Sequence, residues 1–434
     1  MTTHATTIDQ TASAAEDATY LKVTWRLIPL LLVCYIIAYL DRVNVGFAKL
    51  QMAGELGFSD AVYGLGAGMF FIGYFFFEVP SNMILHRVGA RAWIARIMVT
   101  WGVISGSMMF IQTETQFYVM RFLLGVAEAG FFPGIILYLT YWYPAHRRGR
   151  IISVFMTGIP LAGVIGGPLS GWIMKSWDQV QGLQGWQWMF FLEALPAVIF
   201  GIVVFYYLDD RISDAKWLSE SERALLAKRI AEDEQHKSHM PVWDVLRNKR
   251  MWIMSAIYFS MAMSLYGVSF WLPTLIKGMG VTDNLSIGLL SAVPWFAGAV
   301  SMILFGRSAD RHKERRWHVV VPMLMAAVGL TFSVVLASNV YLSFIALIFA
   351  CMGIVSAIPL FWSLPTAFLA GAAAAAGIAA INSIANLAGF LAPYLVGWLK
   401  QATQSTDAGM YMLAVVLVIG AAITLRIPPN LVNR

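Results

Sequence analysis

The stretch LIPLLLVCYIIAYLDRVNVGFA, residues 27–48, decides the fold. As a helix rising 1.5 Å per residue it is long enough to cross a hydrocarbon layer of about 30 Å. Its apolar run is broken only near its end, where Asp41 and Arg42 stand side by side. An ionised side chain at the centre of a membrane helix costs at least about 2.5 kcal/mol, so a charged pair at this depth reads as functional.

Eleven further apolar segments follow, at residues 61–85, 92–110, 117–143, 151–174, 188–208, 251–276, 285–305, 319–336, 341–362, 374–399 and 410–425. The pattern predicts an all-α membrane protein of about twelve transmembrane helices in two six-helix bundles. The expected layout is a cytoplasmic tail (1–26), a first bundle (27–208), a hydrophilic cytoplasmic linker (209–250), a second bundle (251–426) and a short tail (427–434). Composition agrees: 59% of the 434 residues are hydrophobic and 12% charged, and the mean hydropathy is +0.68, so a lipid bilayer is the natural solvent. The net charge of +6 sits in short loops between apolar spans, which excludes a nucleic-acid partner. Alternate loops differ in basic content. One set holds Arg87, Arg91, Arg147, Arg148, Arg150, Arg311 and Arg315 among others, and the opposite set only Lys49, Lys175, Lys277 and Lys400. The positive-inside rule puts the first set, both termini and the linker in the cytoplasm of a bacterial inner membrane, and a monomer is expected. The polar residues 1–19 lack the pattern of a cleavable signal. In the linker, Ser219 and Glu222 form a capping box that opens a short helix, expected on the membrane surface. Cys34 and Cys351, in opposite bundles, read as packing residues.

Charge at membrane depth is confined to the first bundle: Asp41, Arg42, Glu78, Arg121, Glu128 and Glu193. On the first span Tyr35, Tyr39 and Arg42 form one stripe, and Cys34, Ala38 and Asp41 the adjacent one. Arg42 and Asp41 thus point about 100° apart and need separate partners. The fourth span places Arg121, Gly125, Glu128 and Phe132 on one face. Two readings stand. In one, Arg42 pairs with Glu128 and Asp41 with Arg121 to hold the bundle together. In the other, Asp41 or Glu128 carries a coupling proton, because a carboxylate in low dielectric exchanges its proton nearer neutral pH. Arg42, which stays charged, then binds a substrate carboxylate, with Arg121 assisting it or pairing with Glu128. Glu78, near Pro80, and Glu193, before Pro196, read as structural groups that cap or bond backbone freed by proline.

Other features concern seams and the opposite wall. Gly163, Gly167 and Gly171 recur every fourth residue on the fifth span and allow close helix approach, while Pro160 and Pro168 offer a hinge. In the second bundle Asn382 and Asn386 share a helix face and would bond substrate hydroxyls or glue helices. Tyr39, Tyr258 and Tyr266 add flat faces with polar tips, as do Trp271 and Trp362 with Ser363.

The run Leu40-Asp41-Arg42-Val43-Asn44-Val45-Gly46-Phe47-Ala48 resembles the first-span signature of the anion:cation symporter family of the major facilitator superfamily. So do Glu78–Asn82, Gly89-Ala90-Arg91, RFLLGVAEAGFFPG at 121–134, Gly185-Trp186-Gln187-Trp188, Phe270-Trp271-Leu272-Pro273 and residues 361–382. Within that family the chain is most similar to bacterial tartrate, phthalate and 4-hydroxyphenylacetate permeases. The resemblance implies a proton-coupled site built from Asp41, Arg42 and Glu128. Two positions depart from the pattern. His86 stands where the superfamily usually has Asp, leaving Asp310 and Arg311 as the expected gate pair, and Pro160 stands where sugar-acid members have a polar side chain.

All seven histidines lie in loops or tails, and no catalytic or metal-ligating cluster is in view, so an enzyme is excluded and no cofactor is expected beyond the coupling proton. The expected function is a proton-coupled secondary transporter importing an aromatic or tartrate-like acid by alternating access. Anion exchange and sugar-acid symport are the alternatives.

Overall fold

A computed structural model describes residues 2–235, 247–368 and 372–429, so parts of the predicted linker and of the last tail lie outside the described residues. Among these residues twelve helices are long and apolar enough to cross a membrane, and there is no strand. The first six are α1 (Ala14–Leu56), α2 (Asp60–Val88), α3 (Ala90–Phe110), α4 (Glu114–Thr140), α5 (Arg147–Ser176) and α6 (Gly185–Tyr207). The last six are α7 (Lys249–Gly278), α8 (Asn284–His312), α9 (Arg316–Val335), α10 (Val340–Pro365), α11 (Ala380–Thr403) and α12 (Asp407–Leu425). Local chemistry sets their starts. Ser59, Thr113, Asp283 and Asn339 precede α2, α4, α8 and α10, and each side chain accepts the backbone N–H three residues on.

Three helices of the first half are interrupted. α1 breaks at Asn44, α5 at Thr157 and α4 at Ala129-Gly130. The break in α4 is the sharpest: Ala129 is extended (ψ 130°) and Gly130 has φ +87°, a conformation that glycine adopts without a Cβ penalty. Pro160 falls in the first turn after the α5 break, where a missing N–H costs nothing.

The two halves meet along two glycine seams. In one, α5 lies against α8: a Cβ added to Gly167 would stand 2.6 Å from the Gly288 carbonyl oxygen, and one on Gly171 would stand 2.5 Å from that of Asn284. In the other, α2 lies against α11, with Gly68 against Phe390 and Gly389 against Phe71. The end of the bundle far from the linker is tied across the halves. Lys400 Nζ lies 2.6 Å from Asp60, Lys175 Nζ lies 2.9 Å from Asp283, and Tyr63 Oη donates to the Phe270 carbonyl at 2.8 Å. Lys49 also binds Asp60, at 2.6 Å, and its Nζ lies 3.9 Å from the centroid of the Trp271 ring.

The expected tail before Leu27 is helical and continuous with α1. The linker helix, Glu220–Gln235, opens on the predicted capping box, with Ser219 and Glu222 each accepting the other's backbone N–H. Ion pairs dock it on the first half: Glu222 with Lys22, Arg229 with Glu16, and Asp233 with Arg148. The Lys22 ammonium holds the Glu222 carboxyl below the usual range.

Candidate functional site

All six charged residues expected at membrane depth are at least 90% buried: Asp41, Arg42, Glu78, Arg121, Glu128 and Glu193. Burial of this kind is tolerated only where each charge finds a partner. Arg42 sits two residues before the α1 break and donates from Nη2 to Glu128 Oε1, and from Nη1 to Tyr266 Oη on α7 at 3.4 Å. Its guanidinium also faces the rings of Phe70 (5.1 Å) and Tyr74 (5.4 Å). Glu128 is the last residue of the first α4 segment, and the Ala129-Gly130 break turns the chain away immediately beyond it. Among the described residues, Glu128 Oε2 has no hydrogen-bond partner.

Arg42 forms part of the wall of a cavity of about 50 Å³ between the two halves. Tyr39, Tyr258, Tyr266, Asn382 and Asn386 line the same cavity, so side chains from α1, α7 and α11 converge on it. Tyr39 Oη lies 3.3 Å from Ser269 Oγ, and Tyr258 stacks on Phe361 with centroids 4.9 Å apart. Tyr74, which the sequence reading passed over, lines the cavity beside Arg42. Its one signal was its place on the α2 face four residues before Glu78.

The other members stand apart. Asp41 does not pair with Arg121. Its Oδ2 accepts from Trp101 Nε1 on α3 at 2.9 Å, because a residue one step along the helix from Arg42 faces a different neighbour. Arg121 is wholly buried outside the cavity lining and donates from Nη2 to the carbonyls of Arg42 (3.4 Å) and Ala67 (3.3 Å), holding the broken end of α1 to α2. Glu193 accepts from Ser170 (2.6 Å) and Asn44 (3.0 Å), so it bonds side chains rather than proline-freed backbone. Glu78 likewise reaches across the halves, taking amide donors from Asn382 and Asn386. Trp271 belongs to the far-end lock, not the cavity. At the linker end His86 Nδ1 lies 3.1 Å from Tyr141 Oη, and Asp310 pairs with Arg315 at 2.9 Å rather than with its neighbour Arg311.

Known proteins resemble this chain over most of its length. The family model described as Major Facilitator Superfamily matches residues 31–393. A Pseudomonas putida protein, NicT, whose name proposes metabolite transport, is 49% identical over 433 residues, covering 99% of both chains. A protein of Agrobacterium vitis whose name proposes tartrate transport is 50% identical over 406 residues, 93% of each. Among solved structures, a bacterial homologue of the human lysosomal transporter Spinster, in an inward-facing and occupied conformation, superposes with a TM-score of 0.73. It is 15% identical and aligns over 92% of this chain and 95% of its own. That last likeness concerns the fold alone.

Proposed function

We propose, from the premise that this chain belongs to the major facilitator superfamily of membrane transporters, that it moves a small organic carboxylate together with a proton by alternating access. The chain is a transporter and not an enzyme. One observation carries the finer reading: the arginine that faces the cavity is the same arginine that is ion-paired to a fully buried glutamate.

A single pair then serves both ligands. While Glu128 is ionised it occupies Arg42. Protonation neutralises Glu128 and leaves the guanidinium of Arg42, which stays charged, to take a substrate carboxylate through its planar fork of donors. Binding of proton and anion is therefore favourable only together, which is coupling expressed as a free energy between two sites. Tyr39, Tyr258 and Tyr266 offer hydroxyls and ring faces to the rest of the substrate, and Asn382 and Asn386 close the opposite wall. Asp41, buried off the cavity with Oδ1 unpartnered among the described residues, would bind a proton without touching the substrate. Arg121 would add positive potential and fix the α1 break.

The cavity is smaller than a dicarboxylate, so entry requires the halves to separate at one end, and release requires the α2–α11 and α5–α8 seams to part at the other. The basic loops favour an inner-membrane orientation with the termini and linker in the cytoplasm. One chain encloses the whole cavity, so the monomer is the expected transporting unit. Tartrate-like hydroxy acids come first as substrates because of the name of the Agrobacterium vitis relative, and aromatic acids come second.

Proteoliposomes test the reading. With an empty lumen and an inward proton gradient, wild type accumulates the acid, while Glu128→Gln exchanges it across the membrane without accumulating it. Uptake by wild type only into preloaded vesicles would make the protein an exchanger. Binding of neutral sugars but no carboxylates would overturn the role of Arg42.

A further inference from the structure

Glu78 is a carboxylate at membrane depth, 5% exposed, and among the described residues it has no cationic partner within ion-pair distance. Its three side-chain donors all come from one helix of the opposite half. Asn382 Nδ2 donates to Oε1 at 3.3 Å, and Asn386 Nδ2 (3.1 Å) and Ser383 Oγ (3.4 Å) donate to Oε2. Fastening two helices does not call for a charge, since serine or glutamine makes such bonds without the cost of a buried carboxylate. Both oxygens of the Glu78 carboxyl accept from these donors, an arrangement that neither a hydroxyl nor a carboxamide can match.

That arrangement fixes the two asparagines. A carboxamide can point either its NH2 or its carbonyl at a neighbour, and only an acceptor-only partner forces both amides to turn the same way. With both NH2 groups donating to Glu78, the carbonyl oxygens of Asn382 and Asn386 are left free of it, on two residues that line the cavity together with Arg42. We propose that Glu78 sets substrate specificity by holding these two carbonyls toward the cavity, so that the site prefers carboxylates bearing a hydroxyl donor over the same acids without one. This rests on the carboxylate reading of Arg42 and deepens it: Arg42 recognises the acid group, and the Glu78-ordered amides recognise the hydroxyl. Glu78 is a positioning residue here, acting through the asparagines.

Glutamine at this position is the informative change. It keeps size and shape but replaces one acceptor oxygen with a donor, so that one asparagine must turn its carbonyl inward and its NH2 to the cavity. The experiment measures equilibrium binding of matched acids to the purified full chain: tartrate against succinate, and 4-hydroxybenzoate against benzoate. Wild type is expected to favour the hydroxylated member by about tenfold, the discrimination one well-placed hydrogen bond supplies. Glu78→Gln is expected to shrink that ratio to about threefold or less, chiefly by weakening the hydroxylated member. Asn386→Leu, which removes one acceptor and leaves Glu78 in place, is expected to lower the ratio too, and it decides the matter if Glu78→Gln does not fold. Equal weakening of both members with the ratio unchanged would reduce Glu78 to a structural tie and overturn the inference, leaving the carboxylate reading intact. Absence of Arg42-dependent binding of any of the four acids would overturn both.

Discussion

Replacing Arg42 with glutamine strands Glu128, and the cost follows from where the pair lies. The Arg42 side chain is 8% exposed and that of Glu128 0%, so water screens neither. Two unit charges about 4 Å apart attract by about 4 kcal/mol at an effective dielectric of about 20. Breaking a buried pair from one side therefore costs about 3–5 kcal/mol, because the surviving charge keeps its desolvation penalty. The opposite change is milder. In Glu128→Gln the guanidinium keeps the Tyr266 hydroxyl, the rings of Phe70 and Tyr74, and its place at the cavity, so about 1–3 kcal/mol is expected. The double variant carries no stranded charge and should be more stable than the sum of the singles implies, by a coupling of about 2–4 kcal/mol. Equilibrium unfolding in mixed micelles, followed through the 16 tryptophans, measures all three. Costs that add to within about 0.5 kcal/mol would show that the two side chains do not act as a pair and would refute the reasoning.

Other parts of the molecule give shorter predictions. Gly167→Ala puts a methyl 2.6 Å from the Gly288 carbonyl, where backbone must yield, at a cost of about 1–3 kcal/mol to the closed seam. Ser291→Cys, whose parent side chain is buried beside that seam, should then react faster with an impermeant maleimide, and an unchanged rate would count against the seam as a gate. Gly130→Ala forces a Cβ into the left-handed region at φ +87°, against Ser81, costing about 1–2 kcal/mol and displacing Glu128, visible as lower thermal stability together with lost uptake. The clamp between Lys175 and Asp283 carries a pH signature. The Lys175 ammonium, with help from Ser286, depresses the Asp283 carboxyl from 3.8 to about 2. A depressed acid stabilises fully above its unfolded value, so the clamp should be intact from pH 8 to pH 5 and weaken only between about pH 4 and 2. Maleimide labelling at position 291 that climbed between pH 7 and 5 would contradict this.

Spans, seams and buried charges were legible in the sequence because each rests on a local pattern. Apolar length marks helices, a four-residue glycine repeat marks a close contact, and Asp or Arg within a span marks a site. Partners were less legible. The stripe containing Tyr39 and Arg42 was readable from helical periodicity, and both line the cavity, yet the choice of Trp101 for Asp41 depends on where α3 packs. The helix break after Glu128 was written in Ala129-Gly130, but glycines are frequent in membrane helices and most do not end them. Glu78 was read as local because Pro80 stands beside it. Its donors lie 304 to 308 residues away, on a helix that the α2–α11 seam brings alongside, and no periodicity in one segment reveals that. The far-end lock was hidden for the same reason: Lys49, Asp60 and Lys400 each look like ordinary loop charges until the halves close.

Linkage of proton and anion through the Arg42–Glu128 pair makes substrate affinity depend on pH. If one proton must be taken up by Glu128 before Arg42 accepts the acid, log Kd for the wild type is flat where Glu128 is already protonated in the free protein and rises by one for each pH unit above its titration. Glu128→Gln, with its arginine permanently released, should bind the acid with a Kd that is flat across the same range. Equal slopes in the two proteins, or a flat wild type, would contradict the account.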